Sequence, residues 1–90
     1  MPKSLLRYLG YVIYFWIGDG KEPIHVHVCK GTQHPNATKV WLTENGAELE
    51  HNNSRIPEHE LRKLLRHITY NQQMIVFEWM RRFGSGELKR

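Results

Sequence analysis

The 90-residue sequence predicts an α+β domain: a small antiparallel sheet of three to five strands, followed by two C-terminal helices packed on one face. Apolar residues run continuously or with a period of two before residue 51, and at spacings of three and four after residue 57. Asn45 and Gly46 add a strong hairpin signal. We expect a single domain over residues 1–90, with strands at about 4–51, helices at about 57–83 and a short basic tail at 84–90.

The first two strands are predicted from two apolar segments separated by a turn. Residues 11–17 are apolar or aromatic at every position, which favours a central strand covered on both faces. Residues 18–20, Gly-Asp-Gly, turn the chain, and residues 24–30 return as the second strand. We expect residues 4–9, or a second copy of the chain in a homodimer, to cover the sheet face that the helices leave open.

A second hairpin is predicted over residues 38–43 and 47–51. Since asparagine and glycine both accept positive φ, Asn45 and Gly46 should form a two-residue turn. The pairing that follows from this turn places Leu42 opposite Leu49, and Val40 opposite His51.

Two stripes of apolar residues predict the helices. The first helix is expected to begin around Pro57, because proline is favoured in the first turn. Its stripe is Leu61, Leu64, Leu65 and Ile68, and the second stripe is Val76, Trp79, Met80 and Phe83. A single helix over residues 57–83 is the alternative, but it would be about 40 Å long. That exceeds the breadth of a compact domain of this size, so we predict two helices.

The composition sets limits on partners and location. A net charge of +4 is compatible with RNA, DNA or an acidic protein as a target, without requiring any of them. The single cysteine excludes an internal disulfide framework. Neither a signal-peptide pattern nor an apolar run of about 18 residues is present, so we expect a cytoplasmic protein that does not associate with membranes.

An apolar pair on the second predicted helix indicates a contact surface. Met74 and Phe77 lie off the main stripe and beside Arg81, so they form either a patch for a partner or a helix face wedged inside the fold. Basic residues of the C-terminal third are either part of such a surface or a solvated face. The candidate contacts for a protein or nucleic acid are Lys39, Trp41, Arg62, Lys63, Arg66, Met74, Phe77, Arg81 and Arg82.

The most informative motif is a pair of histidines inside an apolar strand. His25, His27 and Cys29 alternate with apolar residues, so the three side chains should project from one face of the sheet. The two imidazoles could bind a metal such as zinc, act as catalytic base and acid in metal-free RNA cleavage, or pack against aromatic residues.

A zinc site needs at least one further ligand. Cys29 continues the row, and the other candidates lie in or near predicted loops. No carboxylate is found at ligand spacing from the pair. The remaining candidates are His34, His51 and His59.

Several segments together resemble a known family. They are residues 22–28 (EPIHVHV), residues 37–42 (ATKVWL), Glu60-Leu61, Asn71 and residues 79–83. In this order and spacing, which covers about residues 10–83, they resemble small prokaryotic proteins catalogued as domain of unknown function 4160. The resemblance implies a functional role for His25 and His27, and a structural or site-lining role for Trp41.

The resemblance also implies a genomic setting. Members are often encoded beside another small protein, as in toxin–antitoxin or stress modules, and no agreed reaction is attached to them. The leading prediction is therefore an interaction module that binds a small protein encoded by an adjacent gene and, as a further partner, RNA or DNA. The alternative is a small ribonuclease-like or metal-dependent enzyme that uses His25 and His27. No cofactor is expected, apart from a divalent metal such as zinc in that alternative.

Overall fold

The computed structural model describes residues 4–90, so the first three residues of the predicted domain lie outside the described part. It shows a five-stranded antiparallel sheet followed by two helices, which confirms the predicted α+β fold class. The strands pair in chain order. They are β1 (Ser4–Tyr8), β2 (Tyr11–Tyr14), β3 (His25–Cys29), β4 (Thr38–Thr43) and β5 (Gly46–His51); the helices are α1 (Glu58–Tyr70) and α2 (Gln72–Phe83).

Both helices pack on one face of the sheet. The strands present alternate apolar residues to this face, and Ile24, Val26 and Val28 share it as the period of two predicts. The buried cluster is completed by one side of each helix. Its helical members are Leu61, Leu64 and Ile68 from α1, and Ile75 and Trp79 from α2.

The buried side of α2 differs from the predicted stripe. Ile75 and Trp79 are fully buried, whereas Met80 is 38% exposed and Val76 is half-buried. Trp79 belongs to both patterns, and its indole N–H is fixed by a 2.9 Å hydrogen bond to the carbonyl of Ser85. Because the buried line runs from Ile75 to Trp79, Val76 and Met80 lie about 100° further around the helix. Met80, a member of the predicted apolar stripe, is therefore not part of the core.

A single residue separates the two helices. The backbone N–H of Asn71 donates to the carbonyls of His67 and Ile68, and its side-chain amide donates to His67 O at 2.8 Å. These bonds satisfy carbonyls at the end of α1. The prediction of two helices is confirmed, and α1 begins directly after Pro57.

The β4–β5 register also differs from the prediction. Leu42 pairs with Ala47 and Val40 with Leu49, while an irregularity near Lys39 brings that residue opposite His51. Gly46 has a φ of 113°, but Asn45 does not have a positive φ, so the turn centred on Asn45 and Gly46 does not form. The predicted pairing was wrong because the chain turns one residue earlier, at Glu44 and Asn45, which places Thr43 opposite Gly46.

The chain itself covers the second face of the sheet. β2 ends at Tyr14, earlier than predicted, because the chain turns back toward Asp19. The Tyr14 hydroxyl donates to the carbonyl of His34 at 2.7 Å and accepts from its N–H at 3.0 Å. Tyr14 is thus covered by the loop between β3 and β4, and its burial requires no second copy of the chain.

The C-terminal segment also packs against the sheet. Ile24 N–H donates to Glu87 O at 2.8 Å, and Lys89 N–H donates to Leu42 O at 2.9 Å. The residues predicted as a tail therefore extend the hydrogen bonding next to β4. Over residues 4–90, neither helix has the length and apolar character needed to cross a membrane.

The α2 assignment leads to a stability prediction. Ile75→Ala should lower the free energy of unfolding by about 2–4 kcal/mol, because it leaves a cavity under a fully buried side chain. Met80→Ala should cost less than about 1 kcal/mol, since Met80 is partly exposed. Urea unfolding of both variants tests this difference. A larger loss of stability for Met80→Ala than for Ile75→Ala would indicate that the stripe predicted from the sequence is the buried one.

Candidate functional site

Three buried side chains converge between β2 and β3. His25 Nε2 lies 3.2 Å from Asp19 Oδ2, and His27 Nε2 lies 3.4 Å from the same oxygen. One ligand atom from each residue can be chosen so that all three lie within 4.8 Å of one another. Asp19 is 8% exposed, His25 is fully buried and His27 is 4% exposed. We call them the Asp-His-His cluster.

A short turn places Asp19 beneath the strand. Asp19 opens a 3₁₀ helix over Asp19–Lys21, and Gly18 before it has a φ of 94°, which favours glycine. The backbone N–H of Trp16 donates to Asp19 Oδ2 at 2.7 Å. Gly20 is also required, because a Cβ there would lie 2.7 Å from the Phe83 ring. The Gly-Asp-Gly turn therefore fixes the position of the carboxylate.

Backbone carbonyls orient both imidazoles. His25 Nδ1 lies 2.8 Å from Pro23 O, and His27 Nδ1 lies 3.4 Å from Ala37 O. A carbonyl oxygen can only accept, so these contacts favour a proton on Nδ1 of each ring. In the neutral form of each ring, Nε2 then carries a lone pair that points toward Asp19.

This arrangement leaves a polar atom without a hydrogen bond. His25 Nε2 is buried and is close enough to Asp19 for an ionic contact, but the contact lacks hydrogen-bond geometry. Burial disfavours the charged form of Asp19, yet the two imidazoles and the Trp16 N–H outweigh that effect and lower the pKa of Asp19 well below its ordinary range. The cluster therefore holds a carboxylate rather than a neutral acid.

Aromatic rings enclose the two imidazoles. Trp41 and Trp79 make edge contacts with His25 at centroid distances of 5.3 and 5.5 Å. Tyr14 stacks on His27 at 5.7 Å. Packing against aromatic residues, one of the three interpretations of the motif, is therefore present. A large substrate could reach the imidazoles only if these rings or the covering loops moved.

The third member of the cluster was missed in the sequence. The sequence pattern predicts no carboxylate ligand near the histidine pair, but the Gly18–Gly20 turn brings Asp19 to both imidazoles. Cys29 instead donates to Thr32 O at 3.6 Å, and His34 and His51 each accept a nearby backbone N–H. His59 is exposed on α1. Over residues 4–90, none of these four alternatives joins the cluster.

Lys39 and Trp41, two predicted contact residues, form an internal network. Lys39 Nζ lies 2.6 Å from Glu22 Oε1 and 4.4 Å from the centre of the Trp41 ring, and Lys89 lies over the same ring at 5.2 Å. The Trp41 indole N–H donates to Glu50 at 2.7 Å. Trp41 is buried, which fits the site-lining role that the family resemblance implies.

The other predicted contact residues lie on the helices, in two places. On α1, Arg62 pairs with Glu58 at 3.1 Å, while Lys63 and Arg66 line a shallow depression beside the exposed Tyr70. On α2, Met74, Arg81 and Arg82 line a cavity of about 480 Å³. We call this cavity the α2–β1 groove. Its lining is Ser4, Leu5, Phe15, Met74, Glu78, Arg81 and Arg82.

The cover over His27 leads to a second prediction. Tyr14→Phe removes both hydrogen bonds to the loop at His34 and should lower the free energy of unfolding by about 1–2 kcal/mol. It should also speed amide hydrogen exchange at His34. The control is Tyr70→Phe, which should change stability by less than about 0.5 kcal/mol because Tyr70 is 89% exposed. Equal exchange rates at His34 in wild type and Tyr14→Phe would contradict the assignment of the His34 loop as the cover over Tyr14.

A comparison with known families matches most of the sequence. The family described as "Domain of unknown function (DUF4160)" matches residues 10–80, a span that includes the Asp-His-His cluster and most of the two helices. No curated protein and no solved structure shows significant similarity to the chain. Since the matched span covers well over half of the sequence, the chain belongs to the DUF4160 family.

Proposed function

We propose that the protein is an interaction module, one member of a toxin–antitoxin-like or stress pair. In this proposal the α2–β1 groove binds an acidic segment with apolar anchors, supplied by a small protein encoded by an adjacent gene. The partner protein and its genomic setting come from the family resemblance. The binding surface comes from the geometry of α2.

The observation that carries the proposal is the exposure of Phe77. Its side chain is 62% exposed, although Ile75 and Trp79 on either side of it in the sequence are fully buried. Phe77 is three residues from Met74 and four from Arg81, so all three share a side of the helix. An exposed aromatic residue beside a cavity that combines apolar side chains with arginines is typical of protein contact surfaces.

The charges on the groove favour an acidic partner. Arg81 lies 3.2 Å from Glu78, which compensates part of its charge. Arg82 has no ion pair among residues 4–90; its guanidinium lies 5.9 Å from the centre of the Phe83 ring. Arg7 is also exposed on the adjacent β1. A partner carboxylate could therefore pair with Arg82 next to the apolar floor formed by Leu5, Phe15 and Met74.

The two other predicted functions receive less support from the geometry. Acid–base cleavage of RNA needs imidazoles that reach a phosphodiester, and His25 is fully buried. RNA or DNA binding would use Lys63 and Arg66, which lie near Tyr70. That depression offers two lysine or arginine side chains to a polyanion, and the charge of Arg62 on the same helix is paired with Glu58. The nucleic-acid alternative enters the test below as an outcome.

The test measures binding of the purified adjacent-gene product by isothermal titration calorimetry. Phe77→Ser and Arg82→Glu should each weaken binding by roughly tenfold or more, since an aromatic anchor and a paired arginine contribute disproportionately to protein interfaces. Circular dichroism should show that both variants keep the wild-type fold, because both side chains are exposed.

Matched controls use α1. Tyr70→Ser removes an exposed aromatic residue and Arg62→Glu reverses an exposed charge, but both residues lie on α1, outside the surface formed by Phe77 and the groove. Both controls should bind within about twofold of wild type. Full binding by Phe77→Ser and Arg82→Glu would overturn the proposed surface. RNA binding that depends on Lys63 and Arg66, without any protein binding, would favour the nucleic-acid alternative.

A further inference from the structure

We propose that Asp19 Oδ2, His25 Nε2 and His27 Nε2 bind one divalent transition-metal ion, with zinc as the preferred species. The site is distinct from the α2–β1 groove and does not depend on the proposed partner. Its role is structural: the ion would join the Gly18–Gly20 turn to β3.

The first argument is the donor set. Two imidazole nitrogens and one carboxylate oxygen are ligands that zinc and neighbouring transition metals accept. Calcium and magnesium prefer oxygen ligands alone, so the two imidazoles select against them.

The second argument is the unpartnered nitrogen of His25. That atom is fully buried and lacks a hydrogen bond, although it points toward an anionic oxygen 3.2 Å away. If its ring is neutral with a proton on Nδ1, two acceptors face each other across this gap. A cation between them would convert an unfavourable contact into two coordinate bonds.

The third argument is the spacing of the donor atoms. Ligands that bind zinc at 2.0–2.1 Å with tetrahedral angles lie about 3.3–3.4 Å apart. The two measured separations from Asp19 Oδ2 are 3.2 Å to His25 and 3.4 Å to His27. Two edges of the donor triangle therefore already have the length that zinc requires.

The fourth argument is the support behind each imidazole. Histidines that bind metals usually donate their other ring N–H to a carbonyl or carboxylate, which fixes the ring and its tautomer. Pro23 O and Ala37 O occupy those positions at 2.8 and 3.4 Å. The Trp16 N–H gives Asp19 the equivalent support at 2.7 Å. All three proposed ligands are thus held in place by backbone groups.

The same distances could also arise if protons, rather than a metal, join the three residues. In that case both imidazoles carry a second proton on Nε2, and the cluster contains two imidazolium ions and one carboxylate. The net charge of +1 equals that of one divalent cation with one carboxylate and two neutral imidazoles. Charge balance alone does not separate the two states, so the experiment measures metal binding directly.

The primary experiment titrates chelator-treated wild-type protein with ZnCl₂ and, separately, with CoCl₂. One equivalent of each metal should bind, and cobalt should produce visible absorption bands that saturate at a 1:1 ratio. At a free zinc concentration 100 times the Kd, the melting temperature should rise by roughly 15 °C. MgCl₂ and CaCl₂ should leave it unchanged.

X-ray absorption at the zinc edge identifies the ligands. The proposal predicts nitrogen and oxygen neighbours only, with outer-shell scattering from two imidazoles. A sulfur neighbour would assign the ion to Cys29 and overturn the proposed site. This measurement uses the wild-type protein, so it does not depend on whether a variant folds.

Variants then locate the site. Asp19→Asn and His27→Gln should each weaken zinc binding at least tenfold, which is within the range expected when a ligand or its support is lost. His34→Gln and His59→Gln should retain wild-type affinity, since neither histidine belongs to the cluster. If wild type fails to bind zinc and cobalt with 1:1 stoichiometry, or if the His34 and His59 variants lose binding equally, the proposal is wrong.

Discussion

The buried carboxylate of Asp19 is the constraint that organises the second face of the sheet. A desolvated charge is tolerated in a small domain only when several groups compensate it. Here the backbone N–H of Trp16 donates to the carboxylate at 2.7 Å, and the cation that we propose would lie between it and the Nε2 atoms of His25 and His27, which are 3.2 and 3.4 Å away. Because these groups belong to the loop after β2 and to β3, the charge ties that loop to the strand. Loss of any one of them would leave the others as uncompensated polar groups.

This constraint divides the molecule into a closed side and an open side. On the closed side, Tyr14, Trp41 and the loop containing His34 enclose the imidazoles, and the C-terminal segment bonds to β3 and β4 near Trp41. On the open side, apolar packing holds the helices to the sheet but leaves Phe77 exposed. The division explains why we assign metal binding to the closed side and partner binding to the open side.

The sequence predicted the features that follow from local periodicity. The period of two in residues 24–28 placed His25 and His27 on one face and the apolar residues on the other, because strand geometry allows no alternative. The change to helical spacing of the apolar residues after residue 57 likewise predicted both helices. In the second helical stripe the pattern placed Trp79 correctly but included Val76 instead of Ile75, since both are apolar and only packing around Trp79 decides which is buried.

The remaining differences arise from contacts that no local pattern contains. The β4–β5 register depends on the backbone conformation of Asn45 and Gly46, and an Asn-Gly pair is compatible with more than one hairpin turn. Asp19 precedes His25 by six residues in a turn, so only the fold brings their side chains together. The available signal in the sequence was a Gly-Asp-Gly turn a few residues before a His-x-His strand. The backbone conformation at Gly18 and the packing at Gly20 then showed why both positions need glycine.

The central claim is that both Nε2 atoms converge on Asp19 as metal ligands while both Nδ1 atoms carry protons. Two-bond ¹H–¹⁵N NMR spectra of the histidine rings, recorded on protein with one equivalent of zinc, test it most directly. The account predicts that His25 and His27 are both protonated at Nδ1, with Nε2 unprotonated and shifted by the metal. Protonation at Nε2 in either ring would contradict it.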